Sequence, residues 1–251
     1  MTYMIPSSLS SPQRFELLAL LALWTLLLFG GFLLGPTRGN RRIPRWARIA
    51  STATLTLAAW SWRLFVPGPD LRQYAFLIAA GITFGLIGDL FLADLLTRSR
   101  SKSIMGGIGS FAIGHLFYIS GILLLARRFQ LTRPGPLWGA LIAFWLAAAA
   151  GWYAVVLRGQ KKPSALHWAA LPYALLLATT AGLALGVALQ NALFFPLALG
   201  AFLFLLSDLI LAGALFSDLA FPLVHDVVWL TYGPGQMLIV FSVGAVMQLA
   251  S

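Results

Sequence analysis

The sequence of 251 residues is 60% hydrophobic and only 10% charged, carries a net charge of +10 and contains no cysteine. About a quarter of the residues of a typical soluble domain are charged, so this composition excludes an ordinary water-exposed surface. The lack of cysteine excludes disulfides, thiolate metal sites and cysteine nucleophiles, and with three well-separated histidines we predict no metal site and no cofactor.

Long apolar stretches without the alternation of β-barrel strands predict an all-α, polytopic membrane helix bundle that forms a single domain over residues 1–251. A bilayer core of about 30 Å needs about 20 apolar residues per helix. In chain order, the eight predicted spans are 17–34, 46–65, 73–96, 105–126, 137–157, 165–189, 192–216 and 227–249. The second span is the least apolar, because it contains Ser51, Thr52, Thr54, Thr56 and Arg63.

The basic residues lie mainly on one side of this predicted bundle. Eleven of the seventeen lie in or beside the loops that follow the first, third and fifth spans. The positive-inside rule then puts these loops in the cytoplasm and both termini outside. Topology and anionic lipid headgroups therefore explain the net charge better than nucleic acid does. The predominance of Arg over Lys favours a bacterial source and hence the bacterial plasma (inner) membrane.

The third and seventh spans share a short sequence pattern. Residues 84–96 read FGLIGDLFLADLL, and residues 203–215 read LFLLSDLILAGAL, with one Asp in the same apolar frame. An internal 4+4 duplication with parallel halves would produce this pattern. The alternative is a chance similarity between two leucine-rich helices.

Three of the seven acidic residues fall within predicted spans: Asp89, Asp94 and Asp208. A charged side chain at the bilayer centre costs at least about 2.5 kcal/mol, so such residues are functional candidates. Asp94 is close enough to its span end to reach the headgroups. Asp89 and Asp208 precede their span ends by seven and eight residues, so we expect both carboxylates about 10–12 Å deep on the basic side. The alternative role for either is an interhelical hydrogen bond.

Small and polar residues accompany these carboxylates at helical spacing. Gly81 and Gly85 share a face with Asp89, which favours close helix packing. In the fourth span His115 and Tyr118 lie on one face, and in the eighth Tyr232 and Gln236 are one turn apart. Taken singly, the histidine would be a satisfied core residue and the tyrosines packing residues. Together they predict a polar cluster inside the bundle.

A further pair, His225-Asp226, precedes the eighth span. We expect these two residues to lie in a short, solvated loop on the basic side.

The ordered set of motifs resembles the lysoplasmalogenase (YhhN-like) family of integral membrane proteins. The matching pieces are Gly88-Asp89-Leu90, Gly107-xxx-Phe111-xxx-His115-xx-Tyr118, Ser207-Asp208-Leu209 and Tyr232-xxx-Gln236. The chain departs from the family pattern at Arg48-Ile49, where members often have Lys-Pro, and at Gly235, where Ala is usual.

The resemblance implies hydrolysis of the vinyl-ether bond of lysoplasmalogens to a fatty aldehyde and glycerophospho-ethanolamine or -choline. One of Asp89 and Asp208 would hold a proton while the other stabilises the cation and activates water, by logic similar to that of paired carboxylates in glycosidases. His115 would orient an Asp or the water. The residues implied to bind substrate are Tyr118, Tyr232, Gln236, Ser207 and Arg48. The implied partners are a lysophospholipid and membrane lipids, and no nucleic acid.

Two other functions fit two intramembrane carboxylates. A proton-coupled transporter of a small molecule or lipid also uses membrane-embedded Asp and His. An intramembrane aspartyl protease also carries two helix-borne Asp, but further signatures of that class are missing from this sequence.

Overall fold

The computed structural model describes residues 4–37, 39, 41–160, 162–217 and 219–250. Within these residues the chain forms helices and no strands. The long helices are α1 (Ser11–Leu34), α2 (Arg45–Phe65), α3 (Pro69–Leu92), α4 (Arg100–Arg128), α5 (Pro134–Leu157), α6 (Ala165–Ala188), α7 (Ala192–Phe216) and α8 (Val224–Leu249). Each predicted span overlaps one helix, so the all-α membrane bundle is confirmed.

Among the long helices of the described residues, α2 alone is less apolar than a typical membrane span. Four of its hydroxyl residues are nevertheless buried in the bundle, and Ser51 and Thr52 are each at most 2% exposed. Thr54 and Thr56 are also buried and donate to carbonyl oxygens of their own helix, at 2.8 and 2.9 Å. Because these polar groups are satisfied internally, α2 can lie among the other spans without exposing them to lipid.

The outer surface of the bundle is apolar. Large side chains that would be buried in a soluble protein are more than 60% exposed; examples are Phe15, Leu26, Leu34, Leu64 and Leu146. Helix α8 is the most central, with 72% of its apolar window buried, whereas the corresponding windows of α1 and α5 are 17% buried. An exposed apolar surface of this extent is suited to lipid contact.

The third span ends earlier than predicted. Helix α3 stops at Leu92, and Asp94 follows in a turn with a left-handed φ of 57°. Its carboxylate accepts a hydrogen bond from Ser103 Oγ at 2.6 Å and lies 3.8 Å from the Arg100 guanidinium. The prediction that Asp94 lies within a span was therefore wrong. Asp89 is consequently three residues from its helix end, about 4.5 Å along the axis, whereas Asp208 is eight residues from its own.

The helices follow the same order of neighbours in both halves of the chain. Within each half, successive helices pack on each other, and the halves join where α8 packs on α2 and α3 and where α4 packs on α6. The first helix of each half also contains a π-helical turn, at Leu26–Gly30 and at Tyr153–Leu157. Two duplicated halves would have this arrangement, and the 4+4 duplication stays a prediction.

Helices α7 and α8 approach each other at a pair of glycines. A Cβ on Gly200 would lie 2.7 Å from the carbonyl oxygen of Gly235, and a Cβ on Gly235 would lie 2.8 Å from that of Gly200. No larger residue fits this crossing without moving the backbones apart. One turn along the same face of α7, Phe204 packs edge-on against Tyr232 at 5.1 Å. Asp208 lies one further turn along this face and lines the interior cavity.

Candidate active site

A cavity of about 360 Å³ opens at the end of the bundle where α2, α4 and α8 begin, hereafter the basic end. Asp89 and Asp208 both line it, although their helices end at different distances from them. Apolar side chains from α3 and α7, including Leu92, Leu211 and Leu215, form part of the wall. The two carboxylates that were predicted to lie at similar depth thus line one cavity, although Asp89 lies only three residues from its helix end instead of the predicted seven.

Asp89 is 4% exposed and is held by two hydroxyl groups. Thr52 Oγ1 donates to Asp89 Oδ2 at 2.7 Å, and the Tyr232 hydroxyl donates to the same oxygen at 3.1 Å. From the sequence, Thr52 was notable only because it makes the second span less apolar. A hydroxyl in the middle of an otherwise apolar helix was the available signal, since it needs a partner away from lipid.

A chain of three polar side chains extends from Asp89 into the bundle. The Tyr118 hydroxyl donates to Gln236 Oε1 at 2.7 Å, and Gln236 Nε2 donates to the Tyr232 hydroxyl at 3.3 Å. We name Tyr118, Gln236 and Tyr232 the Asp89 relay. Of the three, Tyr232 lines the cavity, whereas Tyr118 and Gln236 lie behind it. Tyr232 is therefore placed to contact a substrate, as predicted for it. Tyr118 and Gln236 are placed to position Tyr232 and not to contact the substrate themselves.

Asp208 has a different set of partners. The Tyr173 hydroxyl donates to Asp208 Oδ2, and Ser207 Oγ lies 3.3 Å from Asp208 Oδ1. Ser207 also donates to the carbonyl oxygen of Phe204 at 2.8 Å and lines the cavity as a fully buried residue. Tyr173 was not predicted from the sequence; the available signal was a hydroxyl-bearing aromatic residue within the apolar helix α6.

His115 lies outside the cavity wall, contrary to what a catalytic histidine requires. Its Nδ1 is 2.9 Å from Thr180 Oγ1, and its ring packs on Phe204 with a centroid distance of 4.5 Å. In the described part of the chain, Nε2 is buried without a hydrogen-bond partner. The one side-chain hydrogen bond of His115 among the described residues joins α4 to α6 and reaches neither Asp89 nor Asp208, so the orienting role predicted for it has no support in this geometry.

Basic side chains surround the mouth of the cavity: Arg41, Arg45, Arg48, Arg100 and His225. Arg48 reaches furthest inward, with its guanidinium carbon 5.4 Å from the centre of the Trp229 ring. Its Nε is buried and has no hydrogen-bond partner among the described residues. A guanidinium that lines a cavity and has a buried, unused donor is suited to an anion such as a phosphate. Of the predicted loop bases, Arg38 and Lys161 lie outside the described residues.

Asp226 is buried, which corrects the expectation of a solvated loop. It is 1% exposed, lies in the first turn of α8, and accepts hydrogen bonds from the backbone N–H groups of Arg42 and Ile43 at 2.5 and 2.9 Å. These bonds attach the loop after α1 to the start of α8. The neighbouring His225 is exposed, as predicted for the pair. Sequence alone could not show this, because the partners are about 184 residues away.

Replacing Asp226 by Asn is expected to lower the melting temperature of the purified protein by about 5–10 °C. The change removes two charge-assisted hydrogen bonds and leaves at least one buried N–H group poorly paired, a loss of about 2–3 kcal/mol. The measurement is thermal unfolding in detergent by intrinsic fluorescence. Asp70→Asn is the matched control, because Asp70 also lies in the first turn of a helix but forms an exposed ion pair with Arg128. Equal melting temperatures for the two variants would contradict the role assigned to Asp226.

The site therefore combines the carboxyl groups of Asp89 and Asp208, a mouth where basic side chains outnumber the single carboxylate of Asp94, and an apolar wall. Asp89 is within electrostatic reach of both Arg48 and Asp208. In the described residues, no group of three or more His, Cys, Asp or Glu side chains is arranged to hold a metal ion. The chemistry available from these side chains is proton transfer to and from a bound molecule and stabilisation of charge near it.

Comparison with known proteins gives one result. A family model described as the YhhN family matches residues 45–243, a range that contains every side chain of the cavity discussed so far except Arg41. No curated protein and no solved structure gives a significant match.

Proposed function

This chain belongs to the YhhN family, and on that premise we propose that it is a membrane hydrolase that cleaves the vinyl-ether bond of lysoplasmalogens. The products are a fatty aldehyde and glycerophospho-ethanolamine or -choline. The observation that carries the proposal is the presence of two membrane-embedded carboxyl groups, Asp89 and Asp208, in one cavity whose mouth is cationic.

The distribution of polarity in the cavity matches that of a lysophospholipid. The phosphate would bind at the mouth, where Arg48 has an unused donor. The alkenyl chain would lie along the apolar wall that contains Leu211 and Leu215. The vinyl ether, which connects these two parts of the substrate, would then lie beside the carboxyl groups. The volume of about 360 Å³ is in the range of small-molecule sites and suits the headgroup and the reacting bond.

The reaction needs the two functions that a carboxyl pair supplies. Hydrolysis of a vinyl ether begins with protonation of carbon, which produces an oxocarbenium ion that water then attacks. A neutral carboxyl group can donate the proton, and a nearby carboxylate can stabilise the cation and accept a proton from water. Two carboxyl groups close together in an apolar site tend to share one proton, which provides both states at once.

The proposed setting follows from the same features. Among the described residues, seven helices are long and apolar enough to cross a membrane, and with α2 they form a multi-pass integral membrane protein. We propose the bacterial plasma membrane as its location, with the basic end in the cytoplasm and membrane lipids around the apolar surface. The substrate would reach the cavity from the cytoplasmic leaflet.

The test is aldehyde release from lysoplasmenyl-ethanolamine by the purified, detergent-solubilised protein. A matched lipid with a saturated alkyl ether keeps the headgroup and chain but has no double bond to protonate, so we expect no product from it. Absence of aldehyde from well-folded protein would contradict the proposal. In that case, accumulation of an unmodified solute or lipid in proteoliposomes would favour a proton-coupled transporter instead.

A further inference from the structure

Both hydrogen bonds to Asp89 fall on the same oxygen. Thr52 and Tyr232 donate to Oδ2, whereas Oδ1 accepts no hydrogen bond from the described residues. Oδ1 is also not fully buried by them, so a molecule in the cavity can reach it. A neutral carboxyl group has one oxygen that accepts hydrogen bonds and one that carries the proton. Two donors on Oδ2 therefore leave Oδ1, on the cavity side, as the oxygen that can carry a proton.

The Asp89 relay fixes the direction of the Tyr232 hydrogen bond. Because Tyr118 donates to Gln236 Oε1, the amide presents Nε2 to the Tyr232 hydroxyl. The Tyr232 oxygen accepts that bond, so its own proton is available only to Asp89. Gly85 leaves room for this contact, since a Cβ there would lie 3.0 Å from Gln236 Nε2.

Asp208 shows the opposite pattern. Tyr173 donates to one of its oxygens, and a Ser207 hydroxyl lies 3.3 Å from the other. Each oxygen of Asp208 therefore has a hydroxyl neighbour, with the single Ser207 proton shared between Oδ1 and the Phe204 carbonyl oxygen, whereas Oδ1 of Asp89 has no such neighbour among the described residues. Hydroxyl groups at both oxygens suit an ionised carboxylate. Arg48 and Asp208 act on Asp89 with charges of opposite sign. The hydrogen-bond pattern therefore distinguishes the two carboxyl groups more clearly than the surrounding charges do.

Resting on the proposed hydrolysis, we infer that Asp89 is the acid, with its proton on Oδ1, and that Asp208 is the carboxylate. Thr52, Gln236 and Tyr118 are positioning residues that keep Oδ2 occupied. They act through Asp89 without touching the substrate.

The assignment gives a balanced reaction. Asp89 Oδ1 gives its proton to the vinyl carbon remote from the ether oxygen, the C=C electron pair forms the new C–H bond, and the ether-bearing carbon becomes an oxocarbenium ion. Water adds to that carbon while Asp208 accepts one water proton, which yields a hemiacetal. The hemiacetal hydroxyl then gives its proton, the second one of the added water, to Asp89. The carbon–oxygen bond to glycerol breaks, and Asp208 protonates the departing oxygen. One water is consumed, and both carboxyl groups regain their initial states.

Infrared spectroscopy of the resting protein tests the assignment without substrate. The full chain is purified in a detergent without carbonyl groups, and the C=O stretch of a protonated carboxyl is recorded at neutral pH. We expect this band in the wild type and in Asp208→Asn, and we expect it to be missing in Asp89→Asn. Thr52→Val should move the band to higher frequency, because the carbonyl oxygen loses one donor. Thr54→Val is the matched control, since Thr54 bonds only to its own helix.

Several results would overturn the assignment. They are a wild type without the band, a band that Asp208→Asn removes, and a band that Thr52→Val leaves at its original frequency. The Thr52 variant keeps the test decisive if an Asp variant fails to fold. Because no turnover is needed, a wild type that has the expected band but releases no aldehyde would refute the proposed function alone.

Turnover provides a second readout of the positioning role. Thr52→Val should lower kcat about tenfold with KM unchanged, since one hydrogen bond to the acid is lost while substrate contacts remain. Thr54→Val should retain the wild-type kcat. Equal losses in the two variants would indicate a general effect of α2 hydroxyls on packing and would contradict the positioning role.

Discussion

Asp89→Asn and Asp208→Asn are each expected to reduce kcat for lysoplasmenyl-ethanolamine about 100- to 10,000-fold, the usual contribution of a positioned acid or base. Asparagine keeps the size of the side chain but can neither give nor take a proton. Each carboxyl group has its own part in the proposed reaction, and the third carboxylate of the cavity, Asp94, is engaged with Arg100 and Ser103, so neither variant leaves a substitute for the missing function. The measurement is aldehyde release under saturating substrate.

Asp70→Asn serves as the control for this pair, because Asp70 lies at the opposite end of α3 in an exposed ion pair. It should leave kcat unchanged. The double variant should lose about as much as the more impaired single variant, since groups that act as a unit are not additive. Turnover retained by either single variant in well-folded protein would refute the carboxyl-pair mechanism.

Arg48→Gln is expected to raise KM about 10- to 100-fold and to change kcat little. A charge-assisted hydrogen bond to phosphate contributes about 1.5–3 kcal/mol, and each 1.4 kcal/mol corresponds to a factor of ten. Arg48 has a buried Nε without a partner in the described part of the chain, so the substitution removes no hydrogen bond at that atom. The measurement is the concentration dependence of aldehyde release.

Arg63→Gln is the matched control, because Arg63 lies on the same helix near its other end and outside the cavity wall. It should keep both kinetic constants. Inhibition by a water-soluble glycerophosphodiester should weaken in the Arg48 variant in parallel with KM. A fall in kcat at unchanged KM would instead assign Arg48 to the chemical step and contradict a role in phosphate binding.

The helices could be predicted from the sequence because the bilayer imposes a simple length and polarity requirement on each span. The least apolar predicted span corresponds to α2, and four of its hydroxyl residues are buried in the bundle. The errors occurred at the end of α3, where a left-handed residue at Asp94 stops the helix within an apolar run. A change in backbone conformation of this kind leaves little trace in hydropathy.

Much of the candidate site could also be predicted, since a carboxylate within an apolar span needs a partner or a function. Asp89, Asp208 and Tyr232 lie where the motifs indicated. The partners that hold them did not follow from the motifs. Tyr173 contacts Asp208 from a helix whose sequence shows only an isolated tyrosine, and Asp226 binds backbone groups about 184 residues away.

The fold class, the spans, the basic end and the two carboxyl groups could be predicted from the sequence, because each depends on composition and local spacing. Which polar groups meet depends instead on how the helices pack. His115 and Asp89 are both polar residues within spans, but they have different partners. The packing of α4 on α6 places His115 beside Thr180. The packing of α2 and α8 on α3 places Thr52 and Tyr232 beside Asp89. Hydrogen bonds between helices depend on rotation and depth, which sequence spacing within one helix does not specify.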